Sequence, residues 1–417
     1  MKKETPIIPA IINQYVDDCA FLWLLRASAV NEPHCNLDDL AKLDQRVDAA
    51  LGGIRIAGSP AWEMCLQALE KEEPGEVFQA ALLAFESGKG DQIDYVISKG
   101  AHTLENLKAL VSALGWIPFK KIESMLHSMA NANADPYRYL SIAAYAVHRA
   151  DPGEILNQAI HDPYPLIQAR AIRAVGELKR QDLKPDLEEF FHCDNEANRF
   201  WSAWSSILLG NLSLINNLLP FFVMDSPHFE RTLQLSLRAL DVPTAQSWLQ
   251  SLSQFPDTLR HLLIGAGIIG DPMYIPWIIK QMADQEVARV AGEAFSMITG
   301  VDLEEHNFEA DWPEGLETGP TEDPKDPNVA MDPDEDLPWP EPALVSLWWK
   351  ANKSNFIEGT RYLAGSPITE PHCRNILKTG NQRQRAAAAL ELAIRNPKEP
   401  VFNVRAPGKR QKKSLGV

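Results

Sequence analysis

Along the chain, short apolar runs alternate with polar turns at a spacing that predicts helix almost throughout. A helical run extends to about Val30, and a second helix is predicted from Asn36, a residue type that caps helix N-termini. Its apolar positions are Leu37, Leu40, Leu43, Val47 and Leu51. Gly52-Gly53 is expected to end that helix and Pro60-Ala-Trp62 to open a third. Farther on, Phe200, Ala203, Trp204, Ile207 and Leu208 form an i, i+3, i+4, i+7, i+8 stripe, which puts Trp204 in the core and Trp201 at the stripe's edge.

The helices come in pairs. Predicted second helices end at Gly88, Gly115, His148, Gly176, Gly210, Leu240, Gly270 and Gly300, at intervals of 27 to 34 residues. Most of these ends are glycine, which suits the residue just past a helix, where φ is positive. Asp194, Arg199 and Gly210 have the same separations as Asp284, Arg289 and Gly300, and Asp135, Arg138 and His148 match Asp257, Arg260 and Gly270. The aspartate is placed to cap the second helix through its N2 or N3 amide. The arginine, one turn on, is placed to reach an acid of a neighbouring unit. A period near thirty with two helices per unit predicts an all-α fold, a HEAT-like α-solenoid whose units bury their apolar stripes by stacking. The expected organisation is an N-terminal helical cap (1–58), the repeat array (59–301), an acidic proline-rich linker (302–342), a smaller C-terminal helical region (343–396) and an irregular basic tail (397–417).

Charge adds to this picture once it is located. The chain has a net charge of −16, but residues 302–336 hold 14 Asp and Glu against Lys325 alone, so the remainder is close to neutral. That acidity, with eight prolines between 302 and 342, predicts a solvated linker. A near-neutral body disfavours nucleic acid as a partner. Five cysteines without a CxxC pair favour a reducing compartment. The expectation is a cytoplasmic chain with neither a secretory signal nor a membrane span.

Candidate chemistry is sparse. Gly265-Ala-Gly267-Ile-Ile-Gly270 spells the G-x-G-x-x-G dinucleotide fingerprint. Pro272 and Pro276, however, stand where the phosphate-binding helix should run, and an interior proline costs about 3 kcal/mol. The thirty-residue register instead places Gly265 and Gly267 inside a helix as points of close packing, with Gly270 at its end. His34-Cys35, His192-Cys193 and His372-Cys373 lack the spacing of a structural zinc site. Asp332-Pro-Asp-Glu-Asp336 lacks the glycine and spaced ligands of a calcium loop. No nucleophile elbow, zincin helix or P-loop is present. The expectation is therefore no catalytic residue, no metal and no cofactor. Candidate partner-binding residues are Arg170, Arg173, Arg199, Trp201 and Arg289, residue types that dominate protein interfaces.

The unit Asp162-Pro-Tyr-Pro165-Leu-Ile-Gln-Ala-Arg170-Ala-Ile-Arg173-Ala-Val-Gly176-Glu-Leu178 resembles the short HEAT repeats of the bilin-lyase-like group, where arginine usually stands at the position of Gln168. Further phrases are Leu43-Asp-Gln-Arg46, Gly53-Ile-Arg55-Ile-Ala-Gly58, Arg199-Phe-Trp201-Ser-Ala-Trp204, Ala291-Gly-Glu-Ala-Phe295, Thr299-Gly-Val-Asp302, Leu337-Pro-Trp-Pro340, Gly359-Thr-Arg361-Tyr-Leu363 and Gln382-Arg-Gln-Arg385-Ala-Ala-Ala. Together, from about Leu37 to Pro407, they resemble a bacterial HEAT-repeat family associated with type VI secretion gene clusters. The resemblance implies a non-enzymatic adaptor or chaperone that holds a secreted effector or a PAAR- or VgrG-like spike component. The alternative is a cognate immunity protein that blocks a toxin.

Overall fold

The computed structural model describes residues 8–316, 318–319, 325 and 331–417. Parts of the expected linker, residues 317, 320–324 and 326–330, lie outside them. The fold is all-α. The first helices are α1 (Pro9–Ala29), α2 (Leu37–Ala57), α3 (Ser59–Leu69), α4 (Pro74–Ser87), α5 (Gly90–Gly100), α6 (Leu104–Trp116), α7 (Phe119–Ala130), α8 (Asp135–His148), α9 (Glu154–Ala159), α10 (Pro165–Leu178) and α11 (Glu196–Leu208). They are followed by α12 (Phe229–Ala239), α13 (Val242–Leu252), α14 (Leu259–Ile269), α15 (Ile275–Gln281), α16 (Ala288–Thr299), α17 (Pro342–Asn352), α18 (Glu370–Thr379), α19 (Gln382–Arg395) and α20 (Gly408–Leu415). Among the described residues, the only strands are an antiparallel pair, Tyr362–Leu363 with Ser366–Pro367.

The helices form two compact units. Unit 1 comprises Met1–Asn31, Cys35–Gly210 and Asn396–Val417; unit 2 comprises Glu32–His34 and Asn211–Arg395. The main division thus falls at Asn211, inside the stretch that the period reads as one array. Unit 1 has a continuous apolar core running from Ile12 to Tyr145, in which Trp23 stacks on Phe78. A core of unit 2 runs from Phe222 to Tyr362.

Local sequence accounts for many of the boundaries. Asn36 closes a capping box with Asp39 at the start of α2. Gly52-Gly53 does not end α2, which continues to Ala57. A Cβ on Gly53 would lie 2.5 Å from the ring of Tyr15, so this glycine lets α1 and α2 approach closely and does not terminate the helix. The glycines at the predicted ends divide the same way. Gly88, Gly210, Gly270 and Gly300 have positive φ, whereas Gly115 and Gly176 lie within α6 and α10. Arg149 and Lys179 take the left-handed position after α8 and α10. Gly265 and Gly267 lie inside α14, where a Cβ would come within 2.3 Å of Leu249 and 3.3 Å of Ala294 respectively. The glycine run is a packing surface inside a helix and does not open one.

In each unit a later segment crosses the C-terminal ends of earlier helices. In unit 1, Pro397 lies against Gly210 after α11, and the Val401 amide donates to Glu177 O in α10 (3.0 Å). The Asn403 side chain donates to Val147 O in α8 (2.9 Å), and Arg410 donates to Gly115 O in α6 (2.8 Å). Arg26 of α1 then holds Arg405 O and Ala406 O, and its Nε pairs with Asp44 at 2.9 Å. The tail expected to be irregular is therefore a strap that ends in α20, packed on α2. Its helix has no apolar stripe to betray it; Gln411, for example, is buried and donates to Val404 O and Ala406 O.

In unit 2 the strap is internal. Arg361 donates to Arg238 O at the end of α12 (2.7 Å) and to Ile269 O at the end of α14 (3.2 Å). The amides of Tyr362, Ala364 and Gly365 donate to Gly270 O, Met297 O and Ile298 O at 2.8, 2.7 and 3.0 Å. Both straps supply partners to carbonyls at helix ends, where several have none within the helix.

Candidate functional site

Four of the five predicted residues fall in two places, one in each unit. In unit 1, Arg170, Arg173 and Glu177 stand three or four residues apart on α10 and so share a face. Arg173 Nε lies 2.9 Å from Glu177 Oε1, and Arg170 Nη2 lies 3.1 Å from Oε2. Arg149, from the end of α8, reaches the same carboxylate at 3.8 Å. Three guanidiniums around one carboxylate leave two positive charges in excess. Burial alone would raise the Glu177 pKa, but Arg173, Arg170 and Arg149 outweigh it and hold the carboxyl down to about 2. The Arg170 Nη1 atom is buried and has no hydrogen-bond partner.

Arg173 is the accessible member, with 37% of its side chain exposed. It lies over the Trp201 ring at 4.6 Å, within cation–π range. Trp201 is itself buried, edge-on to Trp204 at 5.3 Å. The structure thus brings Arg170, Arg173 and Trp201 together and adds Glu177 and Arg149, which sequence reasoning missed. Glu177 was detectable, being four residues from Arg173 on one helix. Arg149 gave no such signal, because only packing of α8 against α10 brings it there.

Arg199 belongs to neither place. Its Nη1 donates to Cys193 O and Asp194 O at 2.7 and 2.8 Å and so ties its own turn before α11. Arg138 of α8 does reach an acid ahead of the next predicted second helix, Asp162 before α10, at 2.8 Å. The aspartates bond differently from expectation. Asp162 accepts from Tyr164 N (2.9 Å) ahead of α10, and the cap of α11 is Asn195, which accepts from Asn198 N. The short aspartate side chain meets the turn's own amide two residues on before it can reach the helix.

In unit 2, Arg289 is buried against an edge-on pair of indoles, 5.3 Å from the ring centroid of Trp312 and 5.0 Å from that of Trp339. Its Nη2 lies 2.6 Å from an Asp332 carboxylate oxygen, and its Nη1 donates to Asp334 O at 2.7 Å. Arg260 grips the Asp334 carboxylate with both Nη atoms at 2.6 Å. Asp332 and Asp334 of the acidic segment are therefore seated on α14 and α16, and Asp334 is buried. Arg260 also lines an open cavity of about 510 Å³ with Phe255, Asp257, Thr258, Glu286 and Val287.

Among the described residues, no group of three or more His, Cys, Asp and Glu side chains is placed to hold a metal ion. The cysteines are free thiols, and His372 Nε2 is 2.7 Å from Leu363 O. No helix among the described residues is long and apolar enough to cross a membrane. Compared with protein-family models, the chain matches none, and compared with curated proteins it likewise matches none.

Proposed function

We propose that the chain is a non-enzymatic protein-binding scaffold built as a HEAT-like α-solenoid, and that it serves as an adaptor or chaperone for a type VI secretion effector or spike-tip protein. The thirty-residue period and the phrases from Leu37 to Pro407 support this reading. The observation that carries it is the half-exposed Arg173 laid over Trp201 above a cluster with two surplus positive charges. Arginine and tryptophan are the residues most enriched at interface hot spots, and the surplus charge selects an acidic partner surface. The ion pair with Glu177 and the Trp201 ring pre-set Arg173, so little side-chain freedom is lost on binding.

Co-purification with the products of neighbouring genes tests the reading. A stable complex with an effector or spike protein is expected, and Arg173→Ala should weaken it about tenfold or more, as truncation of a hot-spot side chain does. Failure to recover any such complex would sink the scaffold reading. If loss of the protein poisons the producing cell instead of silencing export, the adaptor role gives way to that of an immunity protein.

A further inference from the structure

Arg260 and Arg289 in unit 2 occupy the repeat offsets of Arg138 and Arg199 in unit 1, yet they are satisfied differently. Arg138 pairs with Asp162, the acid of the next repeat. Asp284 stands where Asp162 stands, but it accepts from Glu286 N (3.1 Å) and is not among the groups bonded to Arg260. Both unit 2 arginines take their carboxylates from outside the repeats, from Asp332 and Asp334. Those contacts are made by a short polar turn, Asp332-Pro-Asp334. The chain just beyond it is pinned independently, for Ala310 N donates to Trp339 O and Glu341 N to Phe308 O at 2.8 and 2.7 Å. Release of the turn would leave this clamp in place.

Two further features bear on occupancy. The Trp339 indole N–H is buried and has no acceptor, so the turn leaves a donor of its surroundings unused; an unpaired buried donor is costly, and an occupant that reached it would gain. The Arg260 side chain keeps 31% of its surface exposed beside Asp334, so this end of the pair is reached from solvent.

We propose that Arg260, Arg289, Trp312 and Trp339 form a docking seat for an acidic protein segment carrying two carboxylates one residue apart, and that Asp332-Pro-Asp334 is its built-in competitor. A partner's Asp-x-Asp segment takes the same two guanidiniums and displaces the turn. Specificity comes from geometry: one carboxylate receives the paired donors of Arg260, while the other pairs with Nη2 of Arg289, which the two indoles flank on one side. The tethered turn acts at an effective concentration on the order of millimolar, so only an acidic segment that exceeds this competition docks. The biological use of the seat rests on the scaffold reading, but the seat itself does not.

The test uses the full chain and a labelled peptide spanning Met331–Asp336, followed by fluorescence anisotropy at low salt. The double variant Asp332→Ser/Asp334→Ser should bind the peptide at least about tenfold more tightly than the wild-type chain, because the tethered competitor is gone. Binding should vanish when the peptide's aspartates are replaced by asparagine and should weaken with added salt. Equal binding by wild-type and variant chains, equal binding of the asparagine peptide, or no binding by a folded variant would overturn the proposal. If the variant does not fold, hydrogen exchange on the wild-type chain decides. Excess peptide should speed exchange of the Leu337 amide, which donates to Asp334 O at 2.8 Å, and an unchanged rate would overturn the displacement. Co-purification reads the scaffold separately, so loss of one result leaves the other standing.

Discussion

The two straps solve one problem by different means. In unit 2 the strap's own amides meet the carbonyls of α14 and α16, so its backbone runs against the helix ends. A Cβ on Gly270 would lie 2.2 Å from Tyr362 O, and one on Gly300 would lie 2.6 Å from the Ala364 carbonyl carbon. In unit 1, side chains span much of the distance: Arg149 to Val401 O, Asn403 to Val147 O and Arg410 to Gly115 O. There the left-handed positions after α8 and α10 hold Arg149 and Lys179. Glycine at a helix end is thus demanded twice in unit 2, by φ and by contact. In unit 1 a long side chain in the left-handed position serves as part of the strap's attachment.

Each strap is locked by a buried glutamate. Glu391 lies 2.5 Å from Arg361 and 3.4 Å from Arg238, as Glu177 sits among its three arginines. If both are locks, Glu391→Gln and Glu177→Gln should each cost about 3–5 kcal/mol, since stranding buried guanidiniums is far worse than losing a surface pair. Urea unfolding gives the total and hydrogen exchange assigns it to a unit; a loss below about 1 kcal/mol at either site would break the parallel. Next in size, Gly270→Ala should cost about 3 kcal/mol, as clash and left-handed strain combine. Gly88→Ala is the control, with the same sign of φ and no atom within 4 Å of its Cβ, and should cost about 1 kcal/mol. Similar losses in the two variants would mean that the strap's contact with Gly270 counts for little.

The acid response should be sharper in unit 1. Burial pushes the His148 pKa down from 6.5 to about 4, helped by the Arg410 charge, so the ring is neutral in the fold. As pH falls below 6.5 the unfolded chain takes the proton first, and stability should fall by about 3 kcal/mol by pH 4. Glu177 then adds a loss from pH 4.5 towards 2, as the unfolded chain takes up a proton that the folded carboxylate, held by its arginines, still refuses. His148→Gln keeps a donor towards Leu114 O and should flatten the first window in a pH series of urea midpoints. The smallest effect is that of Arg410→Ala, about 1 kcal/mol for the lost bond to Gly115 O, with the His148 midpoint in proton NMR moving up.

Local pattern was enough for what depends on neighbours in the chain. The stripe at Phe200–Leu208 is buried as its spacing implies, and Asn36 caps α2. Gly52-Gly53 misled because a glycine pair marks either a stop or a close approach, and only the position of Tyr15 decides. The site was legible in part. Arg170, Arg173 and Trp201 meet because two adjacent helices carry them. Arg289 acquires Asp332 from 43 residues on, beyond a polar, proline-rich stretch with no periodicity to follow. The tail helix was invisible for the same reason: its bonds are polar and its partners lie hundreds of residues earlier.

That return of the tail also orders events during synthesis. Residues 211–395, nearly all of unit 2, emerge as an uninterrupted stretch, whereas unit 1 needs residues beyond Asn396 to complete it. Arg26 waits for Arg405 O and Ala406 O across about 380 residues, and closing so long a loop is slow even though its entropic cost grows only logarithmically. The first-made unit is therefore the last to be finished. Until then its helix ends stand open, a period in which a nascent-chain chaperone would find unit 1, not unit 2, in need of cover.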